Sequence, residues 1–160
     1  MVALMGHSTS SDDCYLALRG LRTMGIRLER HHASTLKIAE WIKERDEVAR
    51  VMCPSLPGDE GYEIWKRDYT GGCGLFGFVL HTTNRDDAIR FANSLEYFGI
   101  GSSWGGYESL VTLPQPIRTV SDITAEFGPG CFVGLHIGLE DVEDLIADLD
   151  QAFAVMRNGA

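Results

Sequence analysis

Lysine is scarce in this chain of 160 residues: only Lys37, Lys43 and Lys66 occur. Chemistry that needs an amine nucleophile therefore has few candidates. No basic patch exists either, and the formal net charge is -9. That balance excludes ordinary nucleic-acid binding, because neutralising phosphates takes clustered Lys and Arg. No apolar run approaches the ~20 residues needed to span a bilayer. Met1-Val2-Ala3-Leu4-Met5 has neither the charged start nor the apolar length of a signal peptide. A soluble, cytoplasmic protein is expected. Cys14, Cys53, Cys73 and Cys131 stand apart with no C-x-x-C pair, so zinc-ribbon and thioredoxin-like spacings are missing and reduced thiols are expected. His31 and His32 adjoin, but neighbours on a helix point about 100° apart and do not readily share one metal.

What is present is a pattern of alternating helices and strands. The length allows one ordinary domain with a real core, or a domain with a helical arm. Ser10 and Ser11 ahead of Asp12-Asp13 start a helix, and Leu21, Met24, Leu28, Leu36, Ala39 and Ile42 recur near helical spacing. One long helix from about Asp12 to Arg45 is predicted, tolerating Gly20 and Gly25 at roughly 1 kcal/mol each. Val48 to Cys53 reads as a strand ending at Pro54, and Glu60 to Asp68 as a short helix. Leu75 to Leu80 is a nearly continuous apolar run, as in a covered strand. Asn84 and Asp87 can cap a helix whose inner face is Ala88, Phe91, Ala92 and Leu95. A strand through Tyr97 to Gly101 follows, then a linker with Pro114 and Pro116, and a strand Phe132 to Ile137. Val142, Leu145, Ile146, Leu149, Phe153 and Val155-Met156 form the stripe of a last helix, with acids at its positive N-terminal end. The fold class is α/β or α+β, helices layered on one face of a small sheet.

Several strings invite a chemical reading. Gly72-Cys73-Gly74-Leu75-Phe76-Gly77 fits a dinucleotide fingerprint, but such glycines cradle phosphate only where a strand ends and a helix opens. Here they follow a loop and open a strand. Ser109, Glu108 and His136 suggest a hydrolytic triad, yet no Gly-x-Ser-x-Gly elbow surrounds the serine. Glu140, Asp141, Glu143 and Asp144 are expected in a first helical turn for dipole reasons alone.

Four segments carry a resemblance. They are Ser103-Trp104-Gly105-Gly106-Tyr107-Glu108-Ser109-Leu110, Leu135-His136-Ile137-Gly138-Leu139-Glu140-Asp141-Val142-Glu143-Asp144-Leu145, Arg19-Gly20-Leu21-Arg22-Thr23-Met24-Gly25 and Trp65-Lys66-Arg67-Asp68-Tyr69-Thr70-Gly71. Together they resemble the C-terminal part of the cystathionine β-lyase-like enzymes of Cys/Met metabolism, which use pyridoxal phosphate. The resemblance implies a helical arm of the cofactor domain over residues 1–45 and a small domain with a largely antiparallel sheet over 46–160. It also implies a carbon–sulfur lyase that, when intact, cleaves cystathionine to homocysteine, pyruvate and ammonia, and a homo-oligomer or a complex with a full-length lyase.

By the same resemblance, Ser103 and the backbone of Trp104 are the donors of a substrate-carboxylate loop. The arginine that usually pairs that carboxylate stands two residues before His136, and here Gly134 takes its place. Losing such a bidentate pair costs roughly 1.5–3 kcal/mol in binding. No segment resembles the one carrying the family's cofactor-binding lysine, so no covalently held cofactor and no catalysis by these residues alone are expected. Another reading is a non-catalytic interaction or regulatory subunit docking on an intact lyase. A third is a thiol or nucleotide activity at Cys73.

Overall fold

A computed structural model describes Gly6 and residues 8–159; Met1–Met5, read above against a signal peptide, lie outside the described residues. Along the chain run α1 (Ser11–Leu21), α2 (Met24–Lys43), β1 (Val48–Met52), α3 (Tyr62–Asp68), β2 (Leu75–Leu80) and α4 (Arg85–Ser94). After these come β3 (Gly99–Ile100), β4 (Leu110–Thr112), α5 (Ile123–Phe127), β5 (Phe132–His136) and α6 (Val142–Asn158). The strands form one sheet in the order β1-β2-β5-β4-β3. Its pairs are antiparallel except β3 with β4, which run parallel. The class is mixed α and β, and the sheet is largely antiparallel. No helix among the described residues is long and apolar enough to cross a membrane.

Alternation along the strands decides which face is dry. Phe76, Phe78 and Leu80 of β2, with Val133 and Leu135 of β5, point to one face and are buried. Against them lie the inner faces of α2 (Ile38, Ala39, Ile42), α4 (Ala88, Phe91, Ala92) and α6 (Leu145, Leu149, Ala152, Phe153). Phe78, Phe91 and Phe153 meet at the centre with ring centroids 4.7–6.2 Å apart, within the range of favourable aromatic pairs. A bulge between Val48 and Arg50 shifts the register of β1. Val48 and Val51 thereby both contribute to the core, while Arg50 turns outward onto the Phe127 ring.

The long helix expected over Asp12 to Arg45 is two helices. Thr23 leaves helical geometry with φ -111° and ψ 3°. The Gly20 carbonyl accepts from the Thr23 N–H at 3.3 Å and from the Arg27 guanidinium at 2.8 Å, instead of from an N–H one full turn on. Two glycines lower the cost of the break, and the arginine satisfies the freed carbonyl. The strand expected over Tyr97 to Gly101 is only Gly99–Ile100, and β4 and α5 were not foreseen. Nor do all helices share one face: α5 lies on the opposite side, with Phe127 against Phe132 at 6.0 Å and the Glu126 carbonyl accepting from Arg50 at 3.0 Å.

The turn from α4 into β3 is organised by a buried acid. Asp148 of α6 is 4% exposed. Its carboxylate accepts from the N–H of Glu96 at 2.9 Å, from that of Tyr97 at 2.8 Å and from the Gln151 amide at 2.9 Å. Three donors satisfy the charge where water cannot. The chain thus leaves α4 on a fixed course toward the sheet edge and the loop beyond it.

Candidate substrate-carboxylate site

The sheet face opposite the core helices is the place to look for chemistry, because the alternation that buries Val133 and Leu135 turns Gly134 and His136 the other way. Gly134 is paired across the ladder with Gly77 of β2 and Thr112 of β4. Two facing glycines leave a low floor. Over it passes the loop between β3 and β4, and together they enclose a cavity of about 230 Å³ lined by Ser103, Trp104, Leu110, Thr112, Gly134 and His136, among others. The three residues singled out for the substrate carboxylate, Ser103, Trp104 and Gly134, therefore border one recess. A neighbouring cavity of about 340 Å³ shares Leu75, Trp104 and His136 with it and extends to His31 and Cys73.

The loop hangs from two side chains. Gly105, at φ 94°, makes a left-handed turn open to glycine. Its N–H donates to His136 Nε2 at 3.2 Å. His136 is buried and its ring lies 5.3 Å from that of His31, whose Nδ1–H donates to the Ile137 carbonyl at 2.6 Å. At the other end Glu140 accepts from the Ser109 N–H and from the Ser109 hydroxyl, each at 2.8 Å, while that hydroxyl accepts from the Gly138 N–H at 2.8 Å. Ser109 is fully buried. With its hydroxyl engaged on both sides it is a structural anchor, as the missing elbow motif suggested.

Ahead of these anchors, no hydrogen bond among the described residues engages the Ser103 hydroxyl or the Trp104 N–H. Trp104 is 63% exposed. Two donors beside a glycine floor can receive an anion, but the recess has no cation of its own. Arg118, the arginine nearest in sequence before Gly134, pairs with Glu126 and lies over the Phe127 ring. It does not line the recess.

Sequence reasoning passed over Glu140 as one of several dipole acids, although its neighbours Asp141, Glu143 and Asp144 are the ones in that role. Asp141 caps α6, accepting from the Glu143 N–H at 2.9 Å. Replacing Glu140 with Gln leaves one acceptor for two donors and should cost about 1–2 kcal/mol. Urea denaturation measures the loss, and faster exchange of the Ser109 amide locates it. An unchanged Ser109 exchange rate would remove Glu140 from this role.

The lysines lie elsewhere. Lys37 and Lys43 are exposed on α2 and Lys66 is exposed on α3; none lines the recess. These residues do not fit a covalent pyridoxal phosphate site. Among the described residues no cluster of His, Cys, Asp or Glu could hold a metal. Gly72, Cys73 and Gly74 precede a strand, so no helix N-terminus converges on them.

His32 of α2 packs against Trp65 with ring centroids 5.8 Å apart, and burial lowers its pKa from 6.5. The folded state favours the neutral ring. The stability this gives is complete above the unfolded value and is lost as pH falls through the folded one. The urea midpoint should decline as pH falls from about 7 to about 5, and His32→Gln should flatten that slope.

A small, largely antiparallel sheet under a helical layer, with a glycine-floored recess beneath the β3–β4 loop, is the architecture these residues build. Residues 1–154 match the Cys/Met metabolism PLP-dependent enzyme family, and the chain belongs to it. It is 50% identical over 157 residues to cystathionine beta-lyase MetC of Escherichia coli, with 94% of this chain and 39% of that protein covered. Over 152 residues it is 35% identical to the cystathionine gamma-lyase of Homo sapiens, covering 92% of this chain and 37% of that one. In fold it is similar to the O-acetylhomoserine sulfhydrylase of Wolinella succinogenes, with a TM-score of 0.78 at 28% identity, covering 94% of this chain and 40% of that chain. The chain thus spans about two fifths of the length of the relatives it matches.

Proposed function

We propose that these residues form the carboxylate-side wall of the active site of a pyridoxal-phosphate-dependent carbon–sulfur lyase of the cystathionine β-lyase kind. The observation that carries this reading is the convergence of Ser103, Trp104 and Gly134 on one recess. A sulfur amino acid lays its carboxylate against the Ser103 hydroxyl and the Trp104 N–H, beside the Trp104 side chain that borders the recess. With Gly134 where the resemblance implies an arginine, the recess binds that carboxylate weakly. The cofactor is held by residues other than Lys37, Lys43 and Lys66, and residues 1–160 do not run the elimination by themselves.

Two measurements test this. On titration with cystathionine, the amide signals of Ser103 and Trp104 should move before those of α1 or α3; shifts confined to other regions would overturn the site. After incubation with pyridoxal phosphate and borohydride reduction, mass mapping should find no stoichiometric lysine adduct. A single full adduct at Lys37, Lys43 or Lys66 would show that this chain does hold the cofactor.

A further inference from the structure

We infer that His136 supplies the positive charge of the carboxylate recess by taking up a proton as the ligand binds. The inference rests on the carboxylate reading above and assigns a proton-linked residue within it. Of the side chains bordering the recess, that of His136 alone changes charge near neutral pH; the others are hydroxyls, apolar groups, Trp104 and glycine. An anion drawn out of water needs a charge or a full set of donors. Ser103 and Trp104 offer two donors, and Gly134 offers none from a side chain. The imidazole is the one group there that can become a cation.

Its surroundings suit both charge states. Nε2 lies 3.2 Å from the Gly105 nitrogen and 3.2 Å from the Gly106 carbonyl oxygen, a donor and an acceptor side by side. In the neutral ring that accepts from Gly105, the hydrogen is on Nδ1. Nδ1 is buried without a partner among the described residues and faces Gly74, where a Cβ would stand 2.8 Å from it. A proton arriving on Nε2 therefore adds no new unmet ring donor: Nε2–H donates to Gly106, and Nδ1 stays as it was. The same proton releases the Gly105 N–H, next in the chain to the donors of Ser103 and Trp104. His136 is 4% exposed, so water screens its charge poorly and an anion across the recess wall feels it. Each favours the other, and proton and ligand bind together.

The charged and titratable groups around the ring are His31 of α2, with ring centroids 5.3 Å apart, and Arg27 of α2 and Cys73 ahead of β2, which border the adjoining cavity. Glu108 of the loop would set its Oε2 2.8 Å from a Cβ on Gly106, and Glu140 is engaged by Ser109. Across the ladder, β2 and β4 face the ring with Leu75 and Leu110. None of the charged or titratable neighbours borders the recess, so a change of charge there belongs to His136.

Cystathionine keeps its carboxylates and ammonium groups charged between about pH 5 and about 7, which leaves any pH dependence to the protein. Its affinity, read from the Ser103 and Trp104 amide shifts, should rise about ten-fold as pH falls across that range. By reciprocity, saturating cystathionine should raise the titration midpoint of the His136 ring, read from its ring nitrogen chemical shifts, by about one pH unit. His136→Gln keeps an amide within reach of the loop but no charge, and should bind equally at both ends of the range. Where that variant does not fold, the ring titration of the unaltered chain decides. A His136 midpoint that stays put on saturation, or a Gln variant that keeps the ten-fold rise, overturns the inference and leaves the carboxylate site standing. No shift of Ser103 and Trp104 at either pH would overturn both.

Discussion

Replacing Gly134 with arginine should tighten the binding of a sulfur amino acid by about 10–100-fold, the worth of one charge-assisted bidentate pair. Position 134 lies on the face of β5 away from the core, bordering the same recess as Ser103 and Trp104. Its cross-strand partner Gly77 carries no side chain, and the nearest side-chain atom over that glycine is the movable Met52 methyl, 3.3 Å from where a Cβ would stand. The near obstacle is Thr112: a Cβ at 134 would come within 2.6 Å of its Oγ1. A hydroxyl can rotate away, and a Gly134→Arg/Thr112→Ala double variant removes the contact altogether. Calorimetry with cystathionine reads the affinity, while the Ser103 and Trp104 amides report whether the ligand sits in the recess. If neither variant binds more tightly than the unaltered chain, the recess is not a carboxylate site.

Asp148→Ala should damage the fold about as much as truncating a core aromatic, at roughly 3–4 kcal/mol. Removing the carboxylate leaves the N–H groups of Glu96 and Tyr97 without their acceptor at a turn between packed elements. Against a total stability of ~5–15 kcal/mol for a domain, that is a large fraction. Asp148→Asn keeps one acceptor oxygen and should lose about half as much. Urea midpoints at constant slope check both values. A loss below about 1 kcal/mol for the alanine variant would mean that the turn forms without the acid.

Much of the fold was legible because hydrophobic periodicity in the chain is strong. The continuous run of β2, the strand at Phe132 to His136 and the stripes of α4 and α6 pack as their spacing implies, except that Val155 of the expected α6 stripe is 43% exposed. The failures have particular causes. The break at Thr23 depends on Arg27 reaching back seven residues to Gly20, a contact invisible to local pattern. β4 has 3 residues and α5 has 5, too few for any period to register. For α5 a signal did exist, since Asp122 caps the helix by accepting from the Thr124 N–H at 2.9 Å. Asp148 was also findable: it interrupts the buried stripe between Leu145 and Ala152, where an acid demands a partner. Of the candidate site, the loop was legible through resemblance. Its suspension from His136 and Glu140 was not, because both contacts join residues about thirty positions apart.

The parallel pairing of β3 with β4 has a further consequence. Two adjacent parallel strands cannot be joined by a tight hairpin, so the chain from Gly101 to Ser109 must travel back along the sheet before it can re-enter. Ser103 and Trp104 are carried on that return journey. Which part of the sheet they overlie is therefore set by strand direction at its edge, far from the residues they border on β5 in sequence but beside them in space.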